Sequence, residues 1–143
     1  MNTENERKKE YLRRYIENTR KVNRITAEIE EIKSLQMNPS LNTDGMPHAH
    51  NGNNDLSDYI IRLQQREKDL KIAQEEQVKS YEDISERIGK LKDSDENDVL
   101  FYRYIKDMTW WDISKQMHFS ESGIYKLHGR ALRDFQINEE GSK

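Results

Sequence analysis

A few residues of this 143-residue chain have the types and spacing for chemistry. His48 and His50, near Asp44 and Asp55, offer imidazole and carboxylate donors that could form half of a metal site. The chain has no cysteine and no HExxH spacing, so a third ligand would have to come from the same Pro- and Gly-containing stretch. A solvated loop is the simpler reading, and no metal or other cofactor is expected. There is no Ser/His/Asp arrangement, phosphate-cradling glycine loop or carboxylate pair, so no enzyme is expected. Asp95, Glu96 and Asp98 read as caps. Tyr125, Lys126 and Arg130 are different: at i, i+1 and i+5 they can share the outer face of one helix. With Ser120, Glu121, Ser122, His128 and Arg133 they form a set suited to double-stranded DNA. Its cations can meet phosphates, and its polar side chains can meet base edges.

Three short helices must position that set. Val99, Tyr102 and Ile105 recur at helical spacing, as do Ile113 and Met117, and then Ile124, Leu127, Ala131 and Leu132. Thr109 stands where an N-cap belongs for a helix Trp110–Met117, and Ser120 is placed likewise for Glu121–Phe135. His118-Phe119-Ser120 is the turn between them. One indole of Trp110-Trp111 is expected in the core against Tyr102 and Leu132, with the other half-covering the surface. A short helix, a tight turn and a longer helix carrying cations is the sequence form of a helix-turn-helix.

The run Thr109-Trp-Trp-Asp-Ile-Ser-Lys-Gln-Met-His-Phe-Ser120, with Ile124, Leu127 and Ala131-Leu132-Arg133, resembles region four of sigma-70-type RNA polymerase subunits. His118 occupies the turn position that this family fills with Gly, so it must adopt a left-handed conformation. The front of the second helix carries Glu121, Ser122 and Gly123 where the family tends to place Arg and Glu. The resemblance implies promoter DNA as a partner, with bacterial RNA polymerase as a second.

Composition bounds the rest. Only 33% of residues are hydrophobic and 36% are charged, and mean hydropathy is -1.15. That balance suits long solvated helices with narrow apolar seams. The absence of cysteine fits a reducing compartment. No apolar run approaches the ~20 residues needed to cross a bilayer, and the first residues are polar, so a bacterial cytoplasmic protein without membrane contact is expected. Net charge is -3. Residues 121–135 carry three Lys/Arg against two acids, a small electrostatic footprint for DNA.

Before the terminal domain, apolar heptads without Gly or Pro predict one helix over about 5–37, with Tyr15, Val22 and Ile29 in one row and Tyr11, Ile25 and Ile32 in the other. Both prolines fall in the segment 38–54, read as a loop. A second long helix, capped by Asp55 or Ser57, carries Leu56, Ile60, Leu63, Glu67, Leu70, Gln74, Gln77, Tyr81, Ile84, Ile88 and Leu91. The two should fold back as an antiparallel coiled-coil hairpin. The best seam alignment pairs Ile32 with Ile60, Ile29 with Leu63, Val22 with Leu70 and Tyr11 with Tyr81. Asn18 then faces Gln74 as a polar layer, and Ile25 faces Glu67. Ile84, Ile88 and Leu91 are left to pack on the terminal helices or on another subunit, which points to a homo-oligomer.

The expected fold is therefore all-α: a hairpin over residues 1–93 with loop 38–54, a three-helix domain over 94–137 and a tail 138–143. This layout, with Asp44-Gly45-Met46-Pro47 in the loop, resembles small phage-encoded proteins of Gram-positive bacteria that include ArpU- and RinA-type late transcription regulators. It implies a phage or prophage DNA-binding regulator of transcription. The alternative is a non-enzymatic adaptor in phage assembly or DNA packaging, acting through the hairpin.

Overall fold

The computed structural model describes residues 3–37 and 52–137. The predicted tail 138–143 and most of the predicted loop, with Asp44, His48 and His50, lie outside them. Helix is the regular secondary structure throughout the described residues. Six segments follow in order: α1 Thr3–Leu12, α2 Arg14–Met37, α3 Gly52–Gly89, α4 Ser94–Tyr104, α5 Trp110–Met117 and α6 Glu121–Asp134. Only Arg13 separates α1 from α2, and the ladder carries on across it through Arg13 N to Lys9 O at 2.9 Å and Glu17 N to Arg13 O at 3.0 Å. Helix α3 begins at Gly52, ahead of the predicted caps Asp55 and Ser57.

The chain forms two compact units whose limits cut through the long helices: Met1–Asn18 with Gln77–Lys143, and Thr19–Glu76. The terminal three helices are thus joined in one unit by the first turns of the chain and the end of α3.

In the unit Thr19–Glu76, Val22, Ile25, Ile29 and Ala73 form a buried cluster, with Leu63 and Leu70 packed against it. Arg66 reaches Glu28 at 2.7 Å. Glu67 is exposed, as is Gln74, so neither is the seam residue predicted for it. Ala73 takes the inner position, where its short side chain lets Ile25 bury. Ile60 is 42% exposed and is no buried partner for Ile32.

The other unit shows the same correction. Tyr15, not Tyr11, meets Tyr81, with ring centroids 5.6 Å apart. Asn18 donates to Ser80 Oγ at 3.0 Å instead of facing Gln74. Tyr11 lies against Phe135 and donates to Asp83, which also holds Arg14 at 2.7 Å. The register is displaced by about one helical turn from the one predicted.

Ile84, Ile88 and Leu91 are buried in the main core of this unit with Leu12, Val99, Leu100, Tyr104, Ile113, Ile124, Leu127, Ala131, Leu132 and Phe135. Of the two expected alternatives for them, packing on the terminal helices is the one found, with Leu12 adding to their cover. Burying a side chain of this size stabilises by about 1.5–3 kcal/mol, and the sum must offset the ordering of six helical segments. Lys8 completes the closure. Its Nζ, buried with the rest of the side chain, donates to Leu132 O at 2.8 Å and Arg133 O at 3.2 Å. Both carbonyls lie in the last turn of α6, where Leu132 O also accepts from Phe135 N at 3.3 Å, and the positive charge sits where the helix dipole favours it.

Candidate nucleic-acid interface

The sharp turn between α5 and α6 is built by local hydrogen bonds. Thr109 Oγ1 accepts from Asp112 N at 3.1 Å and starts α5. Helix α5 stops because His118 turns left-handed, at φ 63° and ψ 42°, which lets Phe119 N reach back to Ser114 O at 3.0 Å. Ser120 Oγ then accepts from Gly123 N at 3.0 Å and starts α6. Such a cap is worth about 1 kcal/mol. A Cβ on Gly123 would stand 3.1 Å from Ser120 Oγ, so the glycine leaves room for the capping hydroxyl. Asp93 caps α4 by accepting from Asp95 N at 2.8 Å, so the cap lies ahead of Asp95, Glu96 and Asp98, which were expected to serve as caps.

Helix α6 buries Ile124, Leu127, His128, Ala131 and Leu132 and turns the rest outward. Glu121, Ser122, Tyr125, Lys126, Arg130 and Arg133 are all exposed. Tyr125, 52% exposed, is buttressed from behind by Trp110, whose ring stands edge-on to it at 5.4 Å. Ser120 is exposed, but its oxygen is engaged as the cap and lies 3.4 Å from Ser122 Oγ. Two of the three cations are occupied with acids. Arg130 lies 3.3 Å from Glu96 and 3.5 Å from Asp93, and Arg133 lies 3.2 Å from Asp134.

His128 does not belong to this strip. It is 7% exposed, within 2.8 Å of the Tyr104 hydroxyl, stacked on that ring at 5.7 Å and edge-on to Trp110 at 4.6 Å. Burial, helped by the charges of Lys9, Arg103 and Arg13, lowers its pKa to about 4. Burial likewise raises the Tyr104 hydroxyl to about 12. Both groups are therefore neutral near pH 7 and serve the core. Its spacing was a usable signal: His128 falls in the stripe 124, 127, 128, 131, 132 that forms the inner face of α6.

The two tryptophans part company. Trp110 is half-buried against the core, with Arg103 stacked over it at 4.2 Å. Trp111 is 56% exposed, with Lys115 over its ring at 4.7 Å. Glu96 is a site residue that spacing did not single out. It is 3% exposed, and burial, followed by the neighbouring Asp134, raises its pKa. Among the described residues, no group of three or more His, Asp or Glu is placed to hold a metal ion. No helix among them is long and apolar enough to cross a membrane.

Comparison with known proteins gives one match. The chain belongs to the DUF1492 family, described as a protein of unknown function. The family match covers residues 39–136, and so takes in α3 to α6 with the whole exposed strip. No curated protein and no solved structure matches the chain.

Proposed function

We propose that this protein is a DNA-binding regulator of transcription, of phage or prophage genes, in which α6 enters the major groove as the recognition helix of a helix-turn-helix. One observation carries this reading: the capped turn His118–Ser120 turns the apolar side of α6 into the core and the strip Ser122, Tyr125, Lys126, Arg133 outward. An α-helix fits a major groove of about 12 Å. Lys126 and Arg133 supply phosphate contacts, and Ser122 and Tyr125 face base edges. One such helix has a small footprint, so two copies on adjacent half-sites bind better than one. RNA polymerase is a second partner under this reading. A mobility shift with promoter fragments at low and moderate salt tests it: binding should appear at low salt and weaken steeply as salt rises.

A second reading, an assembly or packaging adaptor working through its helices, is favoured by the pairing of Arg130 and Arg133 with acids and by the net charge of -3. Absence of any shift at low salt would favour it.

A further inference from the structure

Arg130 belongs to the outward strip of α6, yet its guanidinium is turned toward acids. Nε stands 3.3 Å from Glu96 Oε2 and Nη2 stands 3.5 Å from Asp93 Oδ2. The two ends of this contact differ in kind. The Arg130 side chain is 45% exposed, whereas that of Glu96 is 4% exposed, so core packing fixes the carboxylate and the cation comes to it. Asp134 on α6 adjoins Glu96 as well, and Lys90, Lys92 and Arg133 line the same groove of about 480 Å³.

A guanidinium grips a phosphate or a guanine edge through two parallel N–H groups of its planar fork. Here one side of that fork is engaged. Three carboxylates, Asp93, Glu96 and Asp134, share this groove with its cations and compete with an incoming phosphate for them. A buried acid is a costly way to fasten a half-exposed arginine, since an amide could accept the same hydrogen bond without burying charge.

We propose that Glu96 is an autoinhibitory counter-ion that holds Arg130 on α4 and withdraws it from DNA. This rests on the DNA-binding reading above. DNA engages fully only when phosphate displaces the Glu96 carboxylate and Arg130 swings to the outer face.

The experiment is a salt series of fluorescence-anisotropy titrations on a labelled promoter duplex. It uses the full chain, Glu96→Gln, Arg130→Ala and the double variant, each with a circular-dichroism melt. Glu96→Gln keeps the shape and removes the charge; it should bind three- to tenfold tighter, with a salt slope steeper by about one phosphate contact. Arg130→Ala should cancel that gain, so that the double variant binds no tighter than Arg130→Ala alone. Asp93→Asn, exposed and still a good cap, should give a smaller gain and replaces Glu96→Gln if that variant does not fold. A parent that does not bind beside a Glu96→Gln variant that does also supports the latch. Glu96→Gln binding like the parent, with only its melting changed, overturns the proposal and leaves the DNA reading standing. A double variant that keeps the full gain of Glu96→Gln overturns it too. No binding by any variant at low salt overturns the DNA reading, and the latch with it.

Discussion

Tyr104 and His128 face each other across the interior, hydroxyl to ring Nε2 at 2.8 Å, tying α4 to the inner side of α6. The imidazole is held neutral there, with its pKa lowered from 6.5 to about 4. Below pH 6.5 the unfolded chain takes up a proton that the folded chain refuses. Stability is therefore complete above that pH and is lost as pH falls toward 4. At about 1.36 kcal/mol per pH unit the full loss is roughly 3 kcal/mol. Urea melts at pH 7 and pH 4.5 should show most of it, and His128→Gln should flatten the slope. An unchanged slope in that variant would assign the acid sensitivity to other groups.

Lys8 offers a second test. A lysine donating to two carbonyls at the end of a helix contributes at most about 1.5–3 kcal/mol, as charged hydrogen bonds do, less the cost of burying its charge, which lowers the Lys8 pKa. Lys8→Met keeps the buried stem and removes the ammonium. Its urea midpoint should fall with the m-value unchanged, whereas Arg7→Met, on an exposed neighbour with only a loose contact to Glu4 at 3.6 Å, should melt as the parent does.

His118 is under conformational strain. Its φ of 63° is left-handed, a region that costs an L-residue with a Cβ up to about 1–2 kcal/mol. His118→Gly removes that cost and adds some unfolded-state entropy. A net gain of up to about 1 kcal/mol is expected, visible as a rise of a few degrees in Tm. A fall in Tm would mean that the imidazole makes a compensating contact.

On α6, neighbouring side chains should behave in opposite ways. Lys126 is exposed and Leu127 is buried. Lys126→Ala should leave melting unchanged, weaken binding to all duplexes alike and lower the salt slope by about one. Leu127→Ala should cost about 2–5 kcal/mol. If Lys126→Ala binds promoter fragments as tightly as the parent, α6 is not the recognition helix.

Much of this architecture could be read from spacing, and the misreadings have identifiable physical causes. Caps and turn were legible because Thr109, Ser120 and the His118 position are fixed by backbone chemistry local to a few residues. The hairpin register was not. Two 3/4 rows on α3 share Leu63, Leu70, Gln77 and Ile84 and differ only in choosing Glu67, Gln74 and Tyr81 or Arg66, Ala73 and Ser80. Hydrophobicity favours the row with Tyr81. The chain uses the other, in which the small Ala73 and Ser80 are each 3% exposed and let the facing helix come close. His128 was misplaced because its residue type outweighed its position. Lys8 and Glu96 could not have been found, since their roles depend on partners far away in sequence.

Distance along the chain has its own consequence. Lys8 and Leu132 are 124 positions apart, and Leu12 shares a core with Phe135. During synthesis the opening turns leave the ribosome long before their partners exist. Loops of that span close slowly, so Leu12 lacks the part of its cover that α6 supplies until that helix has been made. A nascent chain halted before residue 132 would therefore present that side chain to any apolar surface within reach. The time for which Leu12 waits on that part of its cover is set by how fast α6 is translated.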